Sequence, residues 1–98
     1  KSSKIVLQQL AAIIKKLPND VRIEGHTDNI PISTAQFPSN WHLSVSRALS
    51  TAYYLMTEQG LDPEKLSIVG YSEYKPLDSN ESLSGRATNR RVDIIIIK

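Results

Sequence analysis

One stretch of the sequence decides the fold: residues 21–29, VRIEGHTDN. Val21 and Ile23 are each followed by a charged residue, which is the two-residue period of a half-buried β-strand. Gly25 then releases the backbone from the usual steric limits, and a polar cluster follows. The strand therefore ends just before Asp28, which lies at the carboxyl end of the sheet. Open α/β sheets bind ligands at this end. We predict a binding site at this position.

Composition and charge restrict the class of protein. A chain of 98 residues with 40% hydrophobic side chains can build one small core, so we expect a single domain over residues 1–98. The net charge of +2, from 12 basic and 10 acidic residues, gives no strong field for nucleic acid or for an anionic membrane. The sequence contains no cysteine, which excludes disulfides and thiolate metal ligands.

Periodicity predicts two long helices. Residues 3–17 carry apolar side chains at helical spacing, and residues 40–59 form a second helix that Gly60 ends in a left-handed conformation. The apolar face of the first helix consists of Val6, Leu10, Ile13, Ile14 and Leu17. The core face of the second helix consists of Val45, Ala48, Leu49, Ala52, Leu55 and Met56. Arg47 lies on a different face of this helix.

Two further strands are predicted. Residues 66–71 follow the second helix, and a strand, helix and strand in this order make the two strands parallel with a right-handed crossover. After a short helix or turn at residues 84–91, residues 92–97, VDIIII, are β-branched and apolar on both faces. We therefore place this last strand in the middle of the sheet, with both long helices on one face.

The loop over residues 26–40 is long for a compact domain. It contains two prolines and shows neither a helical nor a strand period. Ile30, Ile32 and Phe37, with Trp41 just beyond it, are apolar enough to anchor parts of the loop. The loop is either an ordered excursion packed on its own side chains or one wall of a binding groove.

A local basic cluster lies near the C-terminus: Arg86, Arg90 and Arg91, with Asn89 between them. Arginine suits carboxylate or phosphate ligands because its planar fork presents paired donors. Alternatively, these arginines hydrogen-bond loop carbonyls and pack the last strand. Nucleic acid is a rival ligand, but the cluster lacks the interleaved aromatic residues of single-strand binders.

Patterns for catalysis and metal binding are weak. His26 and Asp28 lie close together at a strand end, but no nucleophile elbow or glycine-rich phosphate loop accompanies them. His26, Asp28 and His42 offer metal ligands in principle, yet their spacing has no order. We therefore expect no catalytic residues, no metal and no cofactor, and we expect the His26 side chain to hydrogen-bond its own loop.

Three segments resemble one protein family. GHTDN at residues 25–29, NWHLSVSRA at residues 40–48 and GRATNRRV at residues 85–92 are similar to OmpA-like peptidoglycan-binding domains and keep their order. The loop NIPISTAQFPSNW, residues 29–41, resembles that of the stator B-subunits of the flagellar motor, the MotB type. Related outer-membrane proteins and lipoproteins have a shorter connection at this place.

The resemblance implies a non-catalytic domain that binds the peptide stem of peptidoglycan, chiefly its diaminopimelate residue. Asp28 matches the family's acid, which would receive the ammonium of the ligand, and Arg47 matches the arginine that would receive its carboxylate. The surrounding contacts of the family are matched by Thr27, Asn40, Leu43 and Arg90. Secondary or structural roles are expected for Arg86, Asn89, Arg91 and His26.

The resemblance also implies an architecture and a setting. The fold is α+β, a two-layer sandwich of a mixed β-sheet with two long helices on one face. The family's first strand has no counterpart before residue 3, so we expect a trimmed fragment with three strands and a partly uncovered sheet edge. The parent protein would be anchored in the inner membrane, place this domain in the periplasm, pair with a stator A-subunit and form a homodimer. The alternative is the same anchoring domain in an outer-membrane protein, a lipoprotein or a secretion-system anchor.

Overall fold

The computed structural model describes residues 2–98, with side chains from Lys4 onward. Its elements in chain order are α1 (Ser2–Ile14), β1 (Val21–Gly25), α2 (Asn40–Thr57), a 3-10 turn (Pro63–Lys65), β2 (Leu66–Gly70), α3 (Leu83–Asn89) and β3 (Val92–Ile96). Every predicted element is present, and each bound lies within three residues of the predicted one. No described helix is both long and apolar enough to cross a membrane.

The three strands form one mixed sheet in the order β2, β1, β3. β1 pairs in parallel with β2, with Ile23 opposite Ile68, and antiparallel with β3, with Ile23 also opposite Ile94. The predicted parallel crossover through α2 is confirmed. Because β1 pairs on both sides, it is the central strand, and Val21 and Ile23 are almost completely buried.

The predicted central position of the last strand is wrong. β3 lies at the edge of the sheet, and in the part of the chain that the structure describes it pairs only with β1. Most of its residues are half-buried, and Ile96 is 42% exposed. An apolar run constrains the two faces of a strand but carries no information about its two edges, which the topology sets.

The core lies between the sheet and the two long helices. The core is a single cluster of side chains from α1, β1, α2 and the segment after α2. Its members are Ala11, Ile14, Val21, Ile23, Ala48, Ala52, Leu55 and Leu61. Both helices therefore pack on one face of the sheet, and the predicted α+β sandwich is confirmed. The other face carries the alternate residues of each strand.

The buried face of α2 is rotated from the predicted one. Val45 and Leu49 are 44% and 41% exposed, whereas Ser44 is fully buried. The cause is the close approach of α2 to the sheet: a Cβ atom at Gly25 would overlap the backbone carbonyl of Ser44. Gly25 is therefore required for space, since among the described glycines only Gly60 has a positive φ, of 70°. The predicted left-handed residue after α2 is confirmed.

α1 buries less of its apolar face than predicted. Ala11 and Ile14 enter the core, but Val6 and Ile13 are 52% and 57% exposed. A groove of about 780 Å³ separates α1 from β3 and is lined mainly by Val6, Leu7, Leu10, Thr51, Val92 and Ile94. The helix therefore touches the rest of the molecule along a narrow stripe.

Candidate functional site

The candidate site lies where β1 and β2 end and α2 begins. The backbone N–H of His26 donates to the Arg91 carbonyl at 2.9 Å, and that of Thr27 donates to the Ser72 carbonyl at 2.9 Å. These bonds hold the segment after β1 against the segments that follow β2 and precede β3. Three distant parts of the chain therefore meet at Asp28.

Asp28 is almost buried, and both of its carboxylate oxygens are bonded. Oδ1 accepts from the backbone N–H of Ile30 at 3.0 Å, and Oδ2 accepts from Arg90 Nη1 at 2.7 Å. The Asp28 side chain is 11% exposed, while that of Arg90 is 44% exposed. The ion pair thus joins a fixed carboxylate to a guanidinium that is open to solvent.

Arg47 reaches the same place from α2. Its Nη1 donates to the His26 carbonyl at 3.3 Å, which is the one hydrogen bond that this side chain makes among the described residues. Burial lowers the pKa of Arg47, and nearby Arg90 lowers it further, while Asp28 acts in the opposite direction. Arg47 is therefore a desolvated cation beside an acid and a second cation, with donors left for an anion.

The residues around this group orient the loop. Thr27 Oγ1 donates to the Asp28 carbonyl at 2.8 Å, and Asn40 Nδ2 donates to the Ile30 carbonyl at 3.1 Å. Asn40 Oδ1 is buried and has no partner among the described residues. Leu43 is half-buried one turn further along α2. The start of α2 thus contributes a buried, unpartnered acceptor and an apolar side chain next to the charges.

The three arginines of the basic cluster near the C-terminus have different partners and different roles. Arg90 pairs with Asp28, whereas Arg86 Nη1 donates to the Asn80 carbonyl at 2.7 Å. Arg91 Nε donates to both carboxylate oxygens of Asp93, at 3.1 and 3.0 Å, and its Nη2 donates to the Lys75 carbonyl at 3.0 Å. Arg86 and Arg91 therefore hold the segment between β2 and β3 in shape.

His26 does not hydrogen-bond its own loop, so that prediction is wrong. Its ring stacks on Tyr71 with centroids 5.3 Å apart, and neither ring nitrogen has a hydrogen-bond partner among the described residues. The reason is the strand period, which continues past β1 and directs the ring to the sheet face opposite the helices. The possible metal set of His26, Asp28 and His42 does not come together, because the acids whose oxygens lie near the His26 ring are Glu24 and Asp93.

The long loop is an ordered excursion, as one of the two alternatives predicts, and it also borders a groove. It is packed on itself where the Phe37 N–H donates to Thr34 Oγ1 at 2.8 Å. It also forms one side of a groove of about 560 Å³, lined by Phe37, Trp41 and residues on the outer face of α2. Trp41 is 50% exposed and lies against Tyr74, with ring centroids 5.5 Å apart.

Sequence reasoning missed two serines that position the site. Ser72 adopts a positive φ of 58° that glycine usually occupies, and its N–H donates to Ser44 Oγ at 3.0 Å. Its carbonyl accepts from Thr27, so α2, β1 and β2 are joined through one residue. The sequence carried a weak signal for Ser44, which lies at a four-residue spacing from Ala48 and Ala52, and none for Ser72.

The fold and the site together define the class of protein. The family model of the OmpA family matches residues 1–90, and the chain belongs to this family. The resemblance drawn from the three segments is therefore confirmed.

Its relatives include proteins of motility and of secretion. It is 48% identical over 80 residues to motility protein B of Bacillus subtilis, covering 82% of this chain and 31% of that protein. Among solved structures, the C-terminal domain of Helicobacter pylori MotB is similar with a TM-score of 0.89 and 32% identity, over 100% of this chain and 75% of that one. The cell wall anchor of the T6SS from Pseudomonas aeruginosa is similar with a TM-score of 0.83 and 40% identity, over 93% and 63%. The chain spans less than half the length of the curated relatives it matches.

Proposed function

We propose that residues 1–98 act as one domain that binds peptidoglycan and catalyses no reaction. The observation that carries this proposal is the position of Arg47. It is a partly buried cation with one hydrogen bond among the described residues, and it lies close enough to Asp28 and Arg90 for both to change its pKa. Such a group of one acid and two arginines complements a ligand that carries both an ammonium and a carboxylate.

The free end of diaminopimelate in the peptide stem has this chemistry. The ligand carboxylate binds Arg47, and its ammonium binds Asp28. Arg90 occupies one oxygen of Asp28 in the free protein, but its side chain is 44% exposed. Arg90 can turn from Asp28 to the ligand carboxylate because the ligand ammonium takes its place beside the nearly buried carboxylate of Asp28.

The neighbouring residues complete the site. The Oδ1 of Asn40 is buried and unpartnered in the free protein, and a shift of the loop exposes it to an N–H of the ligand. The hydroxyl of Thr27 fixes the backbone of Asp28. Leu43 contacts the aliphatic part of the diaminopimelate side chain. Arg86, Asn89 and Arg91 do not contact the ligand in this proposal and act by shaping the loop.

We propose that the domain is not catalytic because its serine–histidine pair lacks an orienting third group. Ser39 Oγ lies 2.8 Å from His42 Nδ1, which is the geometry of a serine and its base. However, this hydroxyl caps α2 by accepting from the His42 N–H, and no described carboxylate contacts the ring to orient it. Without a third group the serine is not activated.

We further propose that the domain anchors a flagellar motor stator to the cell wall. The support is the identity to motility protein B and the similarity to MotB domains. In this setting the domain lies in the periplasm, its parent is held in the inner membrane next to a stator A-subunit, and two copies associate away from the Asp28 site. Because Arg47 lies outside this self-association surface, Arg47→Ala should have the wild-type association constant in sedimentation equilibrium. A changed constant would contradict the proposal that the two surfaces are distinct.

A second setting is favoured by a specific observation. The T6SS cell wall anchor is 40% identical over nearly the whole chain, so the same binding site also suits an anchor in another envelope assembly. Expression of the parent gene in a stator-deficient strain distinguishes the settings, because only a stator subunit restores swimming.

Competition for sacculi tests the ligand. Protein is sedimented with purified sacculi while a stem peptide ending in diaminopimelate is added, and a matched peptide with lysine serves as control. The lysine side chain keeps the ammonium but lacks the side-chain carboxylate that Arg47 binds, and both peptides have the same C-terminal carboxylate. We expect the first peptide to release the protein at a concentration at least tenfold lower than the second. Equal release by both peptides would contradict the assignment of Arg47.

A further inference from the structure

A second polar cluster lies on the sheet face opposite the helices and shares no side chain with the Asp28 site. Glu24 and His26 follow the two-residue period of β1 onto this face, and Asp93 of β3 lies directly opposite Glu24. One carboxylate oxygen from each acid and one imidazole nitrogen all lie within 4.8 Å of one another. Strand pairing thus brings Asp93 next to His26 and Glu24, which lie 67 and 69 positions earlier in the sequence.

The imidazole of His26 lacks the partner that a buried ring requires. Its side chain is 3% exposed, and neither nitrogen has a hydrogen-bond partner among the described residues. Nε2 lies 3.4 Å from Asp93 Oδ2 and 3.9 Å from Glu24 Oε1. Neither ring nitrogen is therefore committed to a protein hydrogen bond, and Nε2 is the nitrogen that lies near both carboxylates.

Both carboxylates are oriented by arginines. Arg22 Nε donates to Glu24 Oε2 at 2.6 Å, and Arg91 Nε donates to both oxygens of Asp93. Glu24 Oε1 is the oxygen that lies nearer the His26 ring. Outer hydrogen bonds of this kind fix the ligands of metal sites, although the two positive charges also weaken the attraction for a cation.

The cluster is accessible on one side. A cavity of about 330 Å³ opens onto Glu24, His26 and Asp93, and Lys75 and Leu77 form part of its wall. The Tyr71 ring covers one face of the imidazole, and its hydroxyl donates to Glu24 Oε2 at 3.4 Å. A water molecule can therefore complete the coordination from the cavity.

We propose that Glu24, His26 and Asp93 bind a divalent transition-metal ion of the Zn²⁺ type. In a tetrahedral zinc site with bonds of about 2.0 to 2.2 Å, neighbouring ligand atoms lie roughly 3.3 Å apart. His26 Nε2 and Asp93 Oδ2 already have this separation, whereas Glu24 Oε1 lies 3.9 Å from Nε2 and must move closer to join them. One imidazole with two carboxylates favours zinc and its neighbours over calcium or magnesium. The bound ion links β1 to the edge strand β3.

Zinc titration of untagged, EDTA-treated protein tests the proposal. Isothermal calorimetry should give one Zn²⁺ per chain, and Zn²⁺ should raise the melting temperature because it binds only the folded state. His26→Asn and Asp93→Asn should each weaken Zn²⁺ binding at least tenfold. Asp93→Asn keeps the shape of a side chain that is 32% exposed, so it decides the test if His26→Asn does not fold.

The second histidine provides the matched control. His42 is exposed and bonded to Ser39, so His42→Asn should bind Zn²⁺ as the wild type does. The proposal is overturned if the wild type does not bind Zn²⁺, or if Asp93→Asn binds it with unchanged affinity. Sacculus binding measured in EDTA is a separate readout and should equal that of the untreated protein.

Discussion

Asn89 is the residue on which the shape of the last loop depends most. It is fully buried, and its Oδ1 accepts from the backbone N–H groups of Leu77 and Asp78 at 2.8 and 3.0 Å. Its Nδ2 donates to the Asp78 carbonyl and to Asn80 Oδ1, both at 2.9 Å. One amide therefore satisfies four polar groups of a loop that has no regular structure of its own.

Replacing this amide should destabilise the domain. Asn89→Ala removes four hydrogen bonds that hold part-buried groups of this loop. A typical hydrogen bond of this kind contributes about 0.5 to 1.5 kcal/mol. We expect the free energy of unfolding in urea to fall by about 2 to 4 kcal/mol. Thr88→Ala, at the exposed neighbouring position of α3, should change it by less than about 0.5 kcal/mol. Equal effects of the two substitutions would refute this role of Asn89.

The sequence predicted some of these residues and could not predict others. Asp28 follows a strand whose period is visible, so its place at the sheet edge could be inferred. The ion pair of Asp28 with Arg90 could not, because it joins residues 62 positions apart. The same applies to Glu24 and Asp93, whose proximity depends on the register between β1 and β3.

At the scale of elements, the site depends on how closely α2 packs on β1. Gly25 faces the backbone of Ser44, and Gly70 faces Val45 and the Ser44 hydroxyl. Without side chains at these two positions, the start of α2 lies directly over the strand ends. This close approach allows Arg47 to reach the His26 carbonyl.

A methyl group at Gly25 should disturb both packing and binding. Gly25→Ala places Cβ against the Ser44 carbonyl, so α2 must move away, and overpacking of this kind costs about 1 to 3 kcal/mol. We expect a matching loss of stability in urea, together with weaker sacculus binding. Ser50→Ala, on the exposed side of α2, is the control and should leave both unchanged. Wild-type stability of Gly25→Ala would show that α2 tolerates the displacement.

Local sequence patterns predicted where the helices and strands lie in the chain. They did not predict which elements pack next to one another. Helices and strands were predicted because apolar spacing and the left-handed Gly60 are local signals. The edge position of β3 was missed because hydrophobicity does not report strand order. The core face of α2 was predicted correctly at Ala48, Ala52 and Leu55. It was wrong at Val45 and Leu49, because the small side chain of Ser44 faces the sheet where the glycines lie.

At the scale of the whole molecule, the topology collects charges from three segments. Asp28 follows β1, Arg47 lies on α2 and Arg90 follows α3, and all three meet at one end of the sheet. The chain as a whole carries a net charge of only +2, so the binding that we propose depends on this local arrangement rather than on a general field. A zwitterionic ligand is the chemistry that such an arrangement favours.

The central claim is that Asp28 and Arg47 each bind one charge of the ligand. Asp28→Asn and Arg47→Ala are compared with wild type by cosedimentation with purified sacculi. Removing one partner of a desolvated charge pair costs about 2 to 5 kcal/mol, which is roughly a twentyfold or greater loss of affinity. Glu58→Gln and Lys16→Ala, at exposed positions, control for the change of net charge.

Cosedimentation of these variants, with folding checked by circular dichroism, is the measurement that tests the claim most directly. We predict that folded Asp28→Asn and folded Arg47→Ala both stay in the supernatant, while the two controls sediment with the sacculi as the wild type does. Wild-type sedimentation of either folded site variant would contradict the claim.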